Sequence, residues 1–219
     1  MTATDAKAAR QAVRAILNRL EDPFDTVFPL QQIMGDLDRG IQQAEASIAY
    51  KYCTGFPAWS EVEVEHHREV IAYNRGAALV LCQVLLTQVV ADVSRLQLQS
   101  FSRKKLDILR LENRMLADGL SEVATIDALA NYFKHYREWS PNWEAEEFDP
   151  KDTARFTKRD VKCLGINSQN KGDVGPVFDC LGAETCEDLL EIVIRWRERL
   201  HSYLTKLVLS SRELVEVAE

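Results

Sequence analysis

The sequence has little glycine and proline, with nine and six residues respectively among 219. Collagen-like and low-complexity chains are rich in these residues, and disordered chains are poor in apolar ones. Here 46% of the residues are hydrophobic and 28% are charged. A chain of this length buries a sizeable core without disulfide bonds and is short enough for one domain. We therefore predict a single folded domain over residues 1–219.

Cysteine pairs with the spacing of a metal site are also lacking. The five cysteines form no CxxC pair, and Cys180 and Cys186 are six positions apart, which is not a usual zinc spacing. Glu63 and His67 stand one helical turn apart, but two ligands are too few for a metal site. The sequence contains no GxGxxG, GxxxxGK[ST], GxSxG or HExxH motif. We expect reduced thiols, no metal and no cofactor.

Positive charge is not in excess, since the formal net charge is −7. This excludes a uniformly basic nucleic-acid coat but leaves a local basic patch open. The N-terminus has no apolar core of a secretory signal. The most apolar stretch, 77–93, is interrupted by Gln83, Gln88 and Asp92, as in a buried helix rather than a membrane span. We expect a cytoplasmic protein without a membrane partner.

Long alternating strand patterns are missing, whereas helical periodicity recurs along the chain. Pro23 and Pro29 are expected to bracket a turn, and Thr125 is expected to cap a helix. Gly76 interrupts a helical pattern, which predicts a kink or a close helix contact there. The predicted helices span 4–20, 30–52, 60–98, 102–117, 126–138, a short stretch after Thr157, and 185–215. The prediction is therefore an all-α bundle of five to seven helices, with 60–98 and 185–215 longest and a mostly irregular connection at 140–183.

The last predicted helix carries an apolar stripe whose steps alternate between four and three residues, as in a heptad pattern. The stripe consists of Leu189, Val193, Trp196, Leu200, Tyr203 and Leu207. Such a stripe favours a helix partner, and from it we predict a homodimer with two-fold symmetry.

One segment, 126–139, could carry chemistry. On a helix, Asp127, Asn131, His135 and Glu138 share a face opposite Ile126, Leu129, Phe133 and Tyr136. Asn131 and His135 are one turn apart and can meet a single ligand. An imidazole beside an amide suits phosphate binding or proton transfer near neutral pH. The alternative is that these residues form the solvated face of an ordinary helix.

The run Ala130-Asn131-Tyr132-Phe133-Lys134-His135 resembles the signature of the HEPN superfamily (higher eukaryotes and prokaryotes nucleotide-binding). The resemblance implies a helical bundle, usually dimeric, and in many members a metal-independent ribonuclease of toxin, defence or stress systems. It places the family's Asn on Asn131 and its His, the acid or base, on His135. The family's Arg, which stabilises charge on the scissile phosphate, falls on Ala130. Loss of such a group typically costs several kcal/mol of transition-state stabilisation.

Cationic residues near this segment are candidates for phosphate contacts. Lys134 and Arg137 border the motif, and Arg75 could face it from the long helix. The alternative for Arg75 is a local acidic partner. The basic stretch 151–171 contains Phe156, and aromatic and cationic residues together are typical of single-stranded RNA binding.

Two functions follow. The first is a HEPN-like protein that binds RNA or nucleotides, as a weak or inactive ribonuclease of a bacterial defence or toxin–antitoxin type system. Its catalytic candidates are His135 and Asn131, and its binding candidates are Lys134, Arg137 and Arg75. The second is a non-catalytic helical interaction or regulatory protein that binds a protein partner through its C-terminal helix.

Overall fold

The structure, a computed structural model, describes residues 3–21, 24–54, 60–95, 104–117, 119–145, 149, 151, 152 and 154–216. These ranges form eight α-helices and one two-stranded antiparallel hairpin. The helices are α1 (Ala3–Glu21), α2 (Phe24–Thr54), α3 (Ser60–Ser94), α4 (Lys105–Arg110), α5 (Glu122–His135), α6 (Arg155–Cys163), α7 (Gly175–Leu181) and α8 (Cys186–Glu216). The strands are β1 (Met115–Ala117) and β2 (Leu120–Ser121). The all-α class is confirmed, although the helices in this part of the chain outnumber the five to seven predicted.

The centre of the bundle is α5, which packs against α3, α6 and α8. Eight of its fourteen residues are buried, and they cover most of its circumference except for a polar face at Asp127 and Asn131. A helix that is apolar nearly all round belongs in the interior of a bundle. Helices α2, α3 and α8 are the longest and pack against one another around this centre.

Helix α2 begins at Phe24, upstream of the predicted start, so the turn expected at Pro29 is wrong. Proline inside a helix forfeits one backbone hydrogen bond. The apolar side chains on either side of it, Val27 and Met34, are buried in the core. We infer that their burial offsets the lost bond.

The prediction of one helix over 102–117 is wrong. Helix α4 ends at Arg110, because Leu111 is extended and Glu112 takes a left-handed conformation with φ 50°. The chain then turns into β1, and Gly119, with φ 77°, joins β1 to β2. The carbonyl of Leu111 accepts a hydrogen bond from the Trp196 indole at 3.0 Å. The Leu111 carbonyl can accept this bond because Leu111 lies beyond the end of α4. The leucine spacing alone does not predict such a contact with a distant residue.

Helix α5 starts at Glu122 rather than at Ile126, and its cap is Ser121 rather than Thr125. The Ser121 hydroxyl accepts a hydrogen bond from the Ala124 amide at 3.3 Å and donates one to the Leu109 carbonyl at 2.7 Å. Thr125 is fully buried inside the helix. The C-terminal end is shorter than predicted, because a 3-10 turn replaces the helix at Tyr136–Glu138.

The connection 140–183 is more regular than predicted. It contains α6 and α7, together with 3-10 turns at Trp143–Ala145 and Ser168–Asn170. The short helix expected after Thr157 is confirmed as α6, which begins at Arg155. The glycine and proline content of this region predicted a loop. Two of these residues instead mark helix boundaries, since Pro176 is at the start of α7 and Gly182 ends it with φ 67°.

The heptad stripe of α8 is used within the chain. Leu189, Val193, Trp196 and Leu200 are fully buried, and Leu204 is buried beyond them. Helix α8 packs them against α1, α2, α3 and α5. Packing within the chain therefore accounts for the stripe. The homodimer remains a prediction, and the stripe no longer supports it.

The N-terminus of α8 is capped by a residue from the other end of the chain. The Asp38 carboxylate, in α2, accepts hydrogen bonds from the backbone amides of Cys186 at 2.7 Å and Glu187 at 3.2 Å. A carboxylate at this position satisfies amides that have no partner in the helix and interacts favourably with its dipole. Asp38 thus joins α2 to α8.

One helix among the described residues is long and apolar enough to cross a membrane by length and composition. It spans Glu61–Ser94 in α3, and 56% of its most apolar window is buried inside the bundle. Core helices of soluble proteins meet the same criterion, so the helix is weak evidence for a membrane span.

The five cysteines are free thiols in two classes that alkylation can separate. Cys53, Cys163 and Cys180 are exposed, whereas Cys82 and Cys186 are buried. Burial raises the pKa of Cys82 to about 12, and burial with a hydrogen bond to Asp38 raises the pKa of Cys186 well above its ordinary value. Thiolates are the reactive form. We expect iodoacetamide at pH 8 to modify the three exposed cysteines rapidly and the buried pair slowly, as measured by mass spectrometry.

Denaturant provides the control, since all five cysteines should then react. Rapid native-state modification of Cys82 would contradict the buried position of this part of α3.

Candidate functional site

The polar face predicted for segment 126–139 is present on α5. Asp127 and Asn131 are half-buried, and Lys134, His135 and Glu138 are exposed. On the other side, Ile126 and Leu129 are fully buried, while Phe133 and Tyr136 are half-buried. We call Asp127, Asn131, Lys134, His135 and Glu138 the α5 polar face.

Part of the α5 polar face is tied into a hydrogen-bond network. Asp127 Oδ1 lies 2.7 Å from both Lys105 Nζ and Gln83 Nε2. Lys134 Nζ donates to Gln83 Oε1 at 2.6 Å. Gln83 and Lys105 were not predicted as site residues. Gln83 was visible as a polar interruption of an apolar helix, which is a signal for a buried polar contact.

His135 lies at the last position of α5 and pairs with Glu138 in the following 3-10 turn. Its Nδ1 lies 3.2 Å from both carboxylate oxygens of Glu138, and half of the His135 side-chain surface is exposed. A carboxylate at one ring nitrogen orients an imidazole. The pair could therefore exchange a proton with a ligand, but in a solvent-accessible position.

The other binding candidates lie apart from this pair. Arg137 donates through Nε to the Tyr136 hydroxyl at 3.0 Å and sits over the same ring, with 5.7 Å from Cζ to the centroid. Arg75 lies over the Phe178 ring of α7 at 5.4 Å, and its Nη2 is 3.9 Å from Glu45 of α2. The guanidinium of Arg75 thus contacts α2 and α7, and the structure does not bring it to His135.

Ala130, the position that matches the family's Arg, is fully buried. It stands between the buried Leu129 and the half-buried Asn131 on the central helix. The backbone at this position directs a side chain into the core rather than toward the α5 polar face. Asn131 and His135 therefore have no arginine from position 130 as a partner.

A second cationic feature lies on α6, within the basic stretch 151–171. Its residues are not among the predicted binding candidates. The Phe156 ring is 55% exposed. Arg155 Cζ is 4.5 Å and Arg159 Cζ is 5.5 Å from its centroid. We call Arg155, Phe156 and Arg159 the α6 platform. An exposed aromatic ring with guanidinium groups beside it is a surface on which a nucleobase can stack.

Helix α6 is held in place against the end of α5. Lys158 is buried, lies 5.6 Å from the centroid of the Trp139 ring, and its Nζ is 2.7 Å from Asp152 Oδ2. This hydrogen bond, with a second from the Ala154 amide, lowers the pKa of Asp152 below its ordinary value. Val161, one turn further along the same face of α6, is fully buried. The platform is thus the outer side of a helix whose inner side is fixed.

Within the described ranges, no three His, Cys, Asp or Glu side chains group closely enough to hold a metal ion.

Comparisons with protein-family models, with curated proteins and with solved structures found no match to this chain.

Proposed function

We propose that this protein is a HEPN-like RNA- or nucleotide-binding protein of the bacterial defence type, with little or no ribonuclease activity. The observation that carries the proposal is the α6 platform, which is packed against the helix bearing Asn131 and His135. Single-stranded nucleic acid is bound by aromatic rings that stack bases and by cations that meet phosphates. Single-stranded RNA is accordingly the ligand we favour.

Stacking is expected to contribute more than phosphate neutralisation. Arg159 Nη2 lies 2.8 Å from Asp160 Oδ1, so part of its charge is compensated. The net charge of the chain is also negative. Base stacking on an aromatic ring contributes about 1–3 kcal/mol per base, whatever the base. Binding should therefore be tolerant of sequence, and its salt dependence should correspond to about one or two phosphate contacts.

Binding is expected to outlast catalysis. The His135–Glu138 pair could accept or donate a proton, but the arginine that would stabilise charge on a scissile phosphate is replaced by the buried Ala130. Removing a single charge-stabilising donor commonly lowers a rate by about 10²–10³-fold. Any cleavage of RNA should be slow and should depend on His135.

The proposal is tested by the affinity of a short labelled single-stranded RNA, measured by fluorescence anisotropy. Phe156→Ala should weaken binding about tenfold, because it removes the stacking ring. Phe28→Ala is the matched control, since it removes a 53% exposed phenyl ring from α2 and should leave affinity unchanged. Equal affinities for the two variants would refute RNA binding at the α6 platform.

The α5 polar face is tested in the same assay. His135→Ala and Asn131→Ala should each reduce the affinity for RNA or a mononucleotide if this face contacts the ligand. Unchanged affinity in both variants would show that the face is a solvated helix surface. If the wild-type protein binds neither ligand at millimolar concentration, the interaction-protein function should replace this proposal.

The second candidate function is a non-catalytic interaction protein. The surface that favours it is not the C-terminal helix but the adjoining ends of α2 and α3. The ends of α2 and α3 expose Tyr50, Tyr52 and Val62, at 64%, 66% and 75%. Exposed aromatic residues are enriched in protein interfaces. We propose a two-fold homodimer as the first partner to test, by sedimentation at micromolar concentrations. A monomer at these concentrations would contradict it.

A further inference from the structure

A cleft on the side of the bundle formed by α7, α8 and the β-hairpin has no role in the proposed function. Its volume is about 480 Å³, and Arg114, Arg195 and Arg199 line it. Arg195 and Arg199 are one turn apart on α8, and Arg114 precedes β1. Part of its wall is apolar and buried, consisting of Leu181 and Ile192. Three guanidinium groups from two separate elements therefore line a single concave surface.

Each of these arginines is held through its Nε atom. Arg114 Nε lies 3.2 Å from Glu122 Oε1, Arg199 Nε donates to the Glu112 carbonyl at 2.7 Å, and Arg195 Nε donates to the Glu191 carbonyl at 3.4 Å. Among the described residues, their terminal Nη groups form no hydrogen bond. Each arginine thus combines a positioned side chain with two terminal NH₂ groups available as donors.

The two carboxylates in the cleft already have partners. Glu122 is paired with Arg114, and its side chain is 13% exposed. Asp188 accepts hydrogen bonds from the backbone amides of Glu184 at 2.9 Å and Thr185 at 2.8 Å. Although burial opposes ionisation of Asp188, these hydrogen bonds and the nearby Arg195 lower its pKa. Both carboxylates are therefore engaged by the protein. A third, Glu191, lies beside the cleft with its Oε1 3.6 Å from Arg195 Nε, so three acids balance the three arginines. The site thus depends on the terminal Nη donors of the arginines rather than on a net positive charge.

We propose that this cleft binds a small phosphate-bearing anion through Arg114, Arg195 and Arg199. Guanidinium groups bind phosphate oxygens through paired N–H donors, which makes arginine the preferred residue for such sites. The volume exceeds that of a phosphate group and lies within the range of small-ligand pockets. A phosphorylated organic molecule therefore fits better than a bare phosphate ion, with the apolar wall beside its organic part.

Calorimetric titration with inorganic pyrophosphate and with AMP tests the proposal. We expect both to bind below millimolar concentration, and Arg195→Ala and Arg114→Ala each to weaken binding about tenfold or more. Arg195→Lys should restore part of the affinity, because lysine keeps the charge but not the paired donors. Arg68→Ala is the matched control: Arg68 is an exposed arginine of α3, at 58%, and should not affect binding.

Several outcomes would overturn the proposal. These are no binding of either probe at millimolar concentration, equal affinity for AMP and for adenosine, or unchanged binding in Arg195→Ala with a native circular dichroism spectrum. The proposal is independent of RNA binding at the α6 platform. Phe156→Ala should leave pyrophosphate affinity unchanged, and a loss of affinity in that variant would assign the anion to α6 instead.

Discussion

Arginine at position 130 is expected to unfold the protein rather than to confer ribonuclease activity. Ala130 is fully buried on the central helix, so the substitution places a long cationic side chain in the core. Burial of a charge without a partner costs several kcal/mol. We expect a loss of more than about 4 kcal/mol in the free energy of unfolding, out of the 5–15 kcal/mol typical of a domain. Urea unfolding followed by circular dichroism measures it.

The next residue supplies the control. Asn131 is half-buried on the α5 polar face, and Asn131→Arg should change the free energy of unfolding by less than about 1 kcal/mol. A folded Ala130→Arg protein that cleaves RNA would show that position 130 can reach the site, and would reverse our conclusion that the missing arginine is a structural requirement of this bundle.

Gly76→Val is expected to destabilise the protein by about 3 kcal/mol. A Cβ atom built at Gly76 overlaps the ring of Phe133, which packs edge-on against Tyr73 with 5.8 Å between ring centroids. Overpacking of a well-packed contact costs about 1–3 kcal/mol, and valine adds two further methyl groups. The shift of the thermal or urea unfolding midpoint measures the cost.

The Phe133 ring can be removed to test this cause. If the clash is responsible, Gly76→Val should cost at least about 1 kcal/mol less in a Phe133→Ala background than in the wild type. Equal costs in the two backgrounds would attribute the effect to the backbone of α3 instead of the contact between α3 and α5.

Periodicity made much of α5 predictable. Asp127, Asn131 and His135 lie on a polar face because side chains four residues apart project from the same side of a helix. Gly76 was predicted to mark a kink or a close contact, and the close contact is confirmed. Both properties depend on the spacing of residues that are close together in the sequence, and this spacing is what a sequence pattern records.

Contacts between distant residues were not predictable in the same way. The leucines of 102–117 fit a helix, but the chain leaves α4 at Arg110 and its Leu111 carbonyl bonds Trp196. The heptad stripe on α8 predicted a contact with a second chain, but most of its residues are buried in the core of the same chain. Arg75 could have faced His135 or an acid, and the structure places it beside Glu45 and Phe178. Tertiary packing determines the end of α4, the burial of the α8 stripe and the position of Arg75. Local periodicity contains no information about contacts of this kind.

The hydrogen bonds from Cys186 and Glu187 to Asp38 have a consequence for the order of folding. The C-terminal helix obtains its first-turn acceptor from a residue synthesised about one hundred and fifty positions earlier. A nascent chain therefore holds this carboxylate without its two amides until nearly the whole sequence has been made. The first turn of the C-terminal helix is then completed by the N-terminal half of the chain. Solvent exchange of these two amide protons would consequently report the separation of the chain's two ends, and not merely fraying of one helix.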